Sequence, residues 1–223
     1  MGKKMGYRFF IMNLLVIGAT GPTGREIVSQ ALAQGHGVTA LVRQASKAKF
    51  PPTVKIAVGD VLGASSLAEA LKGQDAVICS LGSAASGPFK EMTLLSEGTR
   101  NLVAAMKAHS VSRLICITGV GAGESLGHGP WYYNWLFQPL MLRGVYHDKT
   151  RQEEIVRASG LDWTLVRPAI LTNGPAKGAQ AIKAFTQLAG IHVGTISRAD
   201  VAAFCLRELA DKRYQGQAPV IAG

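Results

Sequence analysis

Three features of the sequence predict an α/β fold, with a doubly wound parallel sheet in a single domain. An apolar run at 13–17 passes directly into the glycine-rich segment 18–24, and a helical pattern of apolar residues follows. Further short apolar runs alternate with helical patterns along the chain, as in parallel sheets built with crossover helices. No Pro/Ser-rich linker or internal repeat divides the 223 residues, so their number suits one domain.

The first predicted strand, turn and helix have the arrangement of a phosphate-binding site. The strand covers 13–17, and Pro22 suits the first helical turn, where a backbone N–H lacks a partner in any case. Unpaired N–H groups and the positive end of the helix dipole attract an anion there. Glycines permit a tight turn, close approach of the ligand and close packing of helix on strand. The segment consists of Gly18, Ala19, Thr20, Gly21, Pro22, Thr23 and Gly24.

The spacing G-x-x-G-x-x-G in this context indicates a Rossmann-type dinucleotide site, with an ordinary glycine-rich turn as the alternative. The second strand is predicted over 37–42 and ends at Arg43. An acidic residue there would bind the adenosine ribose 2′-hydroxyl of NAD. Because Arg43 and Lys47 could bind a 2′-phosphate, we expect NADP, with NADPH preferred over NADH. Two solvated surface cations are the alternative.

The remaining elements complete the alternation of strands and helices. Strands are predicted at 54–58, 76–79, 113–118 and 162–166, with an edge strand at 219–221. Helices are predicted at 67–71, about 91–109, 153–159 and after 197, where Ser197 or Asp200 is the cap. Asp60 follows the third strand and could either hold an adenine or cap the next helix. Leu81 and Gly82 follow the fourth strand and should face the nicotinamide half of the cofactor.

Composition limits the class of protein. The 24 basic and 14 acidic residues give a net charge of +10, which favours anionic ligands; the cations are scattered, so no specific nucleic-acid site is expected. Cys79, Cys116 and Cys205 lie among apolar residues without C-x-x-C spacing, which indicates buried, reduced thiols in a cytoplasmic protein. No paired-cysteine or H-E-x-x-H motif predicts a metal, and no apolar run is long enough to span a membrane.

The sequence leaves the order of one segment and the role of another undecided. Residues 1–12 are predicted to form a short basic leader before the domain of 13–223, and whether that leader is native and ordered is undecided. The region 119–143 is rich in glycine and carries Trp131, Tyr132, Tyr133, Trp135 and Phe137. It could form a lid that stacks on a flat substrate, pack on a partner subunit or touch a membrane surface.

Five segments resemble one family along most of the chain. They are 18–24, 41–43, 59–61, 73–78 and 96–109. They are similar to the flavin reductase/biliverdin-IXβ reductase family, atypical short-chain dehydrogenases with NmrA-like NAD(P)-binding domains. The resemblance implies NADPH held by the glycine-rich segment together with Arg43, Lys47, Asp60, Val61, Leu81, Gly82, Thr118 and Pro168. It also implies a substrate pocket built from the loops 82–92, 119–145 and 168–195, with Met92 near the cofactor.

Departures from related patterns bear on catalysis. Short-chain dehydrogenases that oxidise alcohols carry Tyr-x-x-x-Lys, and if Lys149 is that lysine, Val145 stands at the tyrosine position. Tyr146 is one residue late and is expected to point elsewhere on the helix. The family's histidine two places after a proline is replaced by Ile170 after Pro168.

Thr118 and Lys149 are therefore the catalytic candidates, and the proton could come from water or Lys149. The alternative for Lys149 is a surface ion pair with Glu153.

The predicted function is hydride transfer from NADPH to a flavin or related planar acceptor, such as a linear tetrapyrrole or quinone. The substrate is expected to be small and anionic, and the protein a monomer or weak homo-oligomer. One alternative is an NADP-binding redox sensor without catalysis, as in some NmrA-like regulators. A nucleotide-sugar epimerase or dehydratase is disfavoured by the missing tyrosine.

Overall fold

Strands and helices alternate through most of the chain, as the sequence predicts. The computed structural model describes residues 11–82, 92–128 and 143–223. The strands are β1 Asn13–Ile17, β2 Gly37–Val42, β3 Lys55–Val58, β4 Ala76–Cys79, β5 Arg113–Ile117, β6 Asp162–Pro168, β7 Ile170–Thr172, β8 Lys183–Phe185, β9 Thr195–Ser197 and β10 Val220–Ala222. The helices are α1 Pro22–Ala33, α2 Ala64–Leu71, α3 Leu94–Ala108, α4 Arg143–Arg157 and α5 Arg198–Asp211.

Within the described ranges, eight strands form one sheet in the order β3-β2-β1-β4-β5-β6-β10-β8. The neighbours are parallel except β8, which runs antiparallel to β10. Strands β7 and β9 pair separately. Strand order reverses between β1 and β4, and in such sheets the crevice outside the carboxyl ends at this point binds ligands. The predicted doubly wound fold is confirmed.

Helices cover both faces of the sheet and bury two apolar clusters. On one face, α1 and α5 contribute Ile27, Val28, Phe204 and Leu209, all at most 1% exposed. On the other, α2, α3 and α4 contribute Leu67, Leu102, Met106 and Val156, which are fully buried. Their burial accounts for the apolar helical periodicity from which these elements were predicted.

Several boundaries differ from the predictions. Helix α4 begins at Arg143, ten residues before the expected start. The prediction started it too late because the inward positions of the helix include the buried polar residues Asp148, Gln152 and Glu153 and do not form an apolar stripe. The predicted edge strand near the carboxyl end, β10, lies inside the sheet, since β8 pairs with its outer side. Strands β7, β8 and β9 have three residues each, too few for a periodic pattern.

Smaller predictions can also be compared. Ser197 caps α5, since its Oγ accepts a hydrogen bond from the Asp200 N–H at 3.0 Å. The three cysteines are buried and free, and Cys79 and Cys116 are register partners on β4 and β5. In the described part of the chain, no helix is long and apolar enough to cross a membrane, and no group of three or more His, Cys, Asp or Glu side chains could hold a metal ion.

Candidate functional site

A cleft of about 610 Å³ opens at the carboxyl ends of β1, β2, β4 and β5. Its lining includes most residues predicted to contact the cofactor: Gly18, Thr20, Gly21, Pro22, Thr23, Arg43, Asp60, Val61, Leu81, Gly82 and Thr118. It also includes the catalytic candidate Lys149. The remaining lining residues were not among those predicted to contact the cofactor or to act in catalysis: Ile17, Leu41, Val42, Gly59, Ser80, Leu94, Ile117, Leu171 and Arg198.

The three glycines of the β1–α1 turn are needed for different reasons. Gly18 has φ +76°, and a Cβ on it would lie 2.2 Å from the Ser80 carbonyl oxygen of the adjacent strand end. A Cβ on Gly24 would lie 2.2 Å from the Gly18 carbonyl oxygen. On Gly21 the closest atom would be the Gly18 oxygen at 3.3 Å, which a small shift could relieve. Packing therefore requires Gly18 and Gly24, whereas the missing side chain of Gly21 chiefly keeps the cleft open.

The start of α1 suits an anion. Gly21 is the N-cap, Pro22 is the first helical residue, no acidic side chain lies in the first turn, and no described side chain caps it. The N–H groups of the first turn are therefore not taken up by a capping side chain and could bind an anion. Arg25 holds the preceding loop, since its Nε donates to the Thr20 carbonyl at 3.0 Å. This cradle fits the pyrophosphate of a dinucleotide.

The adenosine end of the cleft is formed by the ends of β2 and β3. Arg43 is exposed and follows β2 directly. Lys47, the second residue predicted to bind the 2′-phosphate, ends a short 3₁₀ helix, Ala45–Lys47, and its side chain lies outside the described part of the structure. Asp60 does not cap α2, whose N-cap is Gly63; its carboxylate accepts a hydrogen bond from the Leu62 N–H at 2.9 Å. Asp60 is the sole carboxylate among the described lining residues, and Arg43 is the cation of the described lining at this end.

At the other end, Thr118 and Lys149 are held by a buried polar network. The Thr118 hydroxyl donates to Glu153 Oε1 at 2.7 Å, and the Lys149 ammonium donates to the Thr118 carbonyl. Arg167 pairs with Glu153, and its Nη2 also contacts Glu124 Oε2 at 2.7 Å. The hydrogen bond from Arg167 lowers the pKa of Glu124 to about 2. The alternative surface ion pair between Lys149 and Glu153 is wrong, because Arg167 occupies Glu153 and a carbonyl receives the ammonium.

The environment of Lys149 favours its neutral form more than water does. Burial lowers the pKa of Lys149 from its ordinary value, and the nearby Cys116, Glu153, Cys79 and Asp148 oppose that shift only in part. An ammonium with a lowered pKa gives up its proton more readily at neutral pH. The arrangement therefore places a potential proton donor beside Thr118.

The direction predicted for Tyr146 is wrong. A Cβ placed on Gly119 would lie 3.5 Å from the Tyr146 hydroxyl and 3.9 Å from the Lys149 Nζ, so both polar groups face the backbone just after Thr118. Residues three apart on a helix share a face, which explains why Tyr146 and Lys149 converge. The sequence analysis tested only the four-residue spacing of Tyr-x-x-x-Lys and for that reason expected Tyr146 to point elsewhere. The i, i+3 spacing was the signal that could have found it.

Other predicted residues lie outside the cleft lining. Pro168 belongs to β6, where its carbonyl accepts a hydrogen bond from the Val120 N–H at 2.9 Å, and Leu171 lines the cleft beyond it. Ala19 and Gly24 are buried within the turn. The Met92 carbonyl accepts a hydrogen bond from Arg151. The aromatic residues 131–137 and most of the loop 82–92 lie outside the described residues.

Comparisons with known proteins agree with this geometry. A family model described as NAD(P)H-binding matches residues 18–212. YhfK of Bacillus subtilis, described as an uncharacterized sugar epimerase, is 30% identical over 93% of this chain and 92% of its own. An NAD(P)H azoreductase of Xenophilus azovorans is 27% identical over 94% of this chain and 68% of that protein.

A solved structure extends the comparison to the fold. ChuY of Escherichia coli O157:H7, described as an anaerobillin reductase, superposes with a TM-score of 0.80 at 24% identity. The superposition covers 94% of this chain and 96% of ChuY. At this identity the likeness shows the fold alone.

Proposed function

The chain belongs to the NAD(P)H-binding family, and from this premise we propose that it is an NADPH-dependent reductase. The acceptor of the hydride is a flavin or a related planar molecule, such as a linear tetrapyrrole or a quinone. The observation that carries the proposal is the single cleft that joins the α1 N-terminus and Arg43 to Thr118 and Lys149. One extended dinucleotide could therefore contact the phosphate-binding turn and the catalytic candidates together.

The preference for NADPH rests on Arg43. A guanidinium can form a bidentate pair with a phosphate, and Arg43 stands at the strand end where an acidic residue would hold an unmodified ribose. The flavin reductase/biliverdin-IXβ reductase resemblance supports the same cofactor. The names of the azoreductase and of ChuY support conjugated, planar acceptors as the class to test.

The residues of this chain would orient the reactants and provide a proton. Bound NADPH supplies the hydride. Because Thr118 donates its single hydroxyl hydrogen to Glu153, its oxygen can only accept a hydrogen bond from a ligand in the cleft. Lys149, with its lowered pKa, and the Tyr146 hydroxyl beside it are the groups that could deliver a proton to the reduced acceptor.

A single-turnover experiment tests the proposal. Protein loaded with NADPH is mixed with FMN, riboflavin, biliverdin, a quinone or an azo dye, and absorbance is followed at the nicotinamide band. Rapid, saturable loss with at least one acceptor is expected. Lys149→Met should slow that loss about 10²-fold, whereas Lys72→Met, which removes an exposed lysine at the end of α2, should not. Tight NADPH binding without transfer to any acceptor would contradict the reductase and favour the redox sensor.

A nucleotide-sugar epimerase or dehydratase is the second candidate. Tyr146 and Lys149 face the same point beside Gly119, and a tyrosine next to a lysine can act as the base that removes a hydroxyl proton. YhfK carries an epimerase description. Incubation with NAD⁺ or NADP⁺ and UDP-sugars, followed by chromatography, tests this candidate. A converted sugar with the wild type and none with Tyr146→Phe would establish it over the reductase.

A further inference from the structure

Arg198 is a cation of the cleft that the predicted site did not include. It is the first residue of α5 and lines the cleft together with the turn between β1 and α1. Three cationic side chains are found among the described lining residues, and they come from different places in the fold. Arg43 follows β2, Lys149 lies on α4, and Arg198 lies on α5.

The backbone that carries Arg198 is firmly held. Ser197 caps α5, and the fully buried Asp200 accepts hydrogen bonds from the Ser197 hydroxyl at 2.8 Å and from the Lys177 and Gly178 N–H groups. The Gln30 side chain of α1 donates to the Ala199 carbonyl at 2.9 Å, so α5 is tied to α1 next to Arg198. The guanidinium therefore projects from a rigid base on the side of the sheet that α1 covers.

The charge of Arg198 is not neutralised within the described part of the chain. Its Nη1 donates to Asn173 Oδ1 at 2.6 Å, a neutral partner, and none of the ion pairs among the described residues involves Arg198. A carboxamide orients the guanidinium without cancelling its charge. The remaining N–H groups of the fork can then serve an anion in the cleft.

We propose that Arg198 binds the pyrophosphate of the dinucleotide, opposite the N-terminus of α1. A diphosphate carries a negative charge on each phosphate, while a helix start offers only about half an elementary charge. A guanidinium on the α1 side of the cleft supplies one full charge more. Arg43 lies on the other side of β1 and serves the 2′-phosphate, whereas Lys149 comes from the opposite face of the sheet. The inference rests on the cofactor-binding part of the proposed function but not on the acceptor.

Equilibrium binding of ligands that contain different phosphates tests the assignment. Arg198→Gln should raise the Kd of NADP⁺ and of NAD⁺ by a common factor of about ten and leave adenosine 2′-monophosphate unchanged, since that ligand lacks the pyrophosphate. Arg43→Gln should also weaken NADP⁺, but it should weaken adenosine 2′-monophosphate and leave the Kd of NAD⁺ unchanged. Calorimetry with direct titration or competition gives each constant without any turnover.

Matched variants keep the result interpretable. Arg207→Gln removes the same charge from an exposed position of the same helix and should leave every Kd unchanged. Arg198→Lys retains a cation and should weaken NADP⁺ less than Arg198→Gln, while Asn173→Ala tests the orienting contact. Thermal unfolding of each variant shows that α5 still forms.

The inference is overturned if Arg198→Gln and Arg198→Lys leave NADP⁺ binding unchanged. It is also overturned if the glutamine variant weakens adenosine 2′-monophosphate as much as NADP⁺, or weakens only an acceptor such as FMN. Weaker NADP⁺ and NAD⁺ binding in a protein that reduces no acceptor would uphold the role of Arg198 and contradict the reductase. Absence of NADP⁺ binding in the wild type would overturn both.

Discussion

Replacement of Glu153 should expose how strongly the network beneath Thr118 stabilises the fold. Glu153 and Arg167 are 2% and 1% exposed, and Glu153 also accepts the Thr118 hydroxyl hydrogen bond. Glu153→Gln keeps the size of the side chain but leaves the buried guanidinium with one charged partner fewer. The variant separates the charge of Glu153 from its packing.

The magnitude follows from burial. Removing one partner of a buried ion pair costs about 3–5 kcal/mol, because the other charge stays buried without compensation. Glu124 still contacts Arg167 in the variant, so we expect about 3 kcal/mol, at the lower end of that range. For a protein of this size that corresponds to a fall in melting temperature of roughly 6–12 °C.

Urea unfolding of the wild type, Glu153→Gln, Arg167→Met and the double variant Glu153→Gln/Arg167→Met provides the measurement. Equal slopes against urea are needed before midpoints are compared. The double variant should lose less free energy of unfolding than the two single losses added together, since it leaves no unpaired buried charge. Single losses below about 1 kcal/mol, or strict additivity, would refute the reasoning.

Three further predictions address the cofactor end and the pH dependence. Arg43→Ala should weaken NADPH about tenfold and leave NADH unchanged in binding titrations, a loss of about 1.5 kcal/mol as for a charged hydrogen bond; equal weakening of both would contradict the 2′-phosphate assignment. Gly18→Ala should cost more than about 2 kcal/mol in urea unfolding because strain at φ +76° adds to a 2.2 Å clash, whereas Gly35→Ala, at φ +84° with no atom within 4 Å, should cost only about 1–2 kcal/mol. The pKa of Glu124 falls from 4.5 to about 2 on folding, so its stabilising contribution is complete above pH 4.5 and is lost as pH falls to about 2. Glu124→Gln should remove that part of the pH dependence of the free energy of unfolding. If the difference in free energy between the variant and the wild type stays the same from pH 4.5 to about pH 2, the prediction is wrong.

The phosphate-binding half of the fold was predictable because its signals are local. Strands β1, β2 and β4 have the predicted bounds, since each is a mostly apolar, mostly buried run in the middle of the sheet. Pro22 begins α1 as expected, because its missing N–H would have had no partner in that turn. The positions of β8 and β10 depend on pairing between distant segments and have no local signal.

The start of α4 and the place of Arg198 in the cleft depend on contacts between distant segments of the chain. The start of α4 was missed because Asp148 and Gln152 occupy inward positions that usually carry apolar side chains. Arg198 was missed because a single arginine in a basic chain carries no spacing signal, although the Ser197 cap correctly placed the helix behind it. Such residues are identified only when α5 is seen beside α1.

The contacts of Asp148 and Arg151 have a consequence for how Lys149 is positioned. Asp148 accepts hydrogen bonds from the Leu95 and Ser96 N–H groups at the start of α3, and Arg151 binds the Met92 carbonyl just before it. Residues 92–96 are thus tied to α4 at Asp148 and Arg151, which stand on either side of Lys149 in the sequence. The position of Lys149 in the cleft therefore depends in part on the start of α3, although Asp148 and Arg151 do not line the cleft.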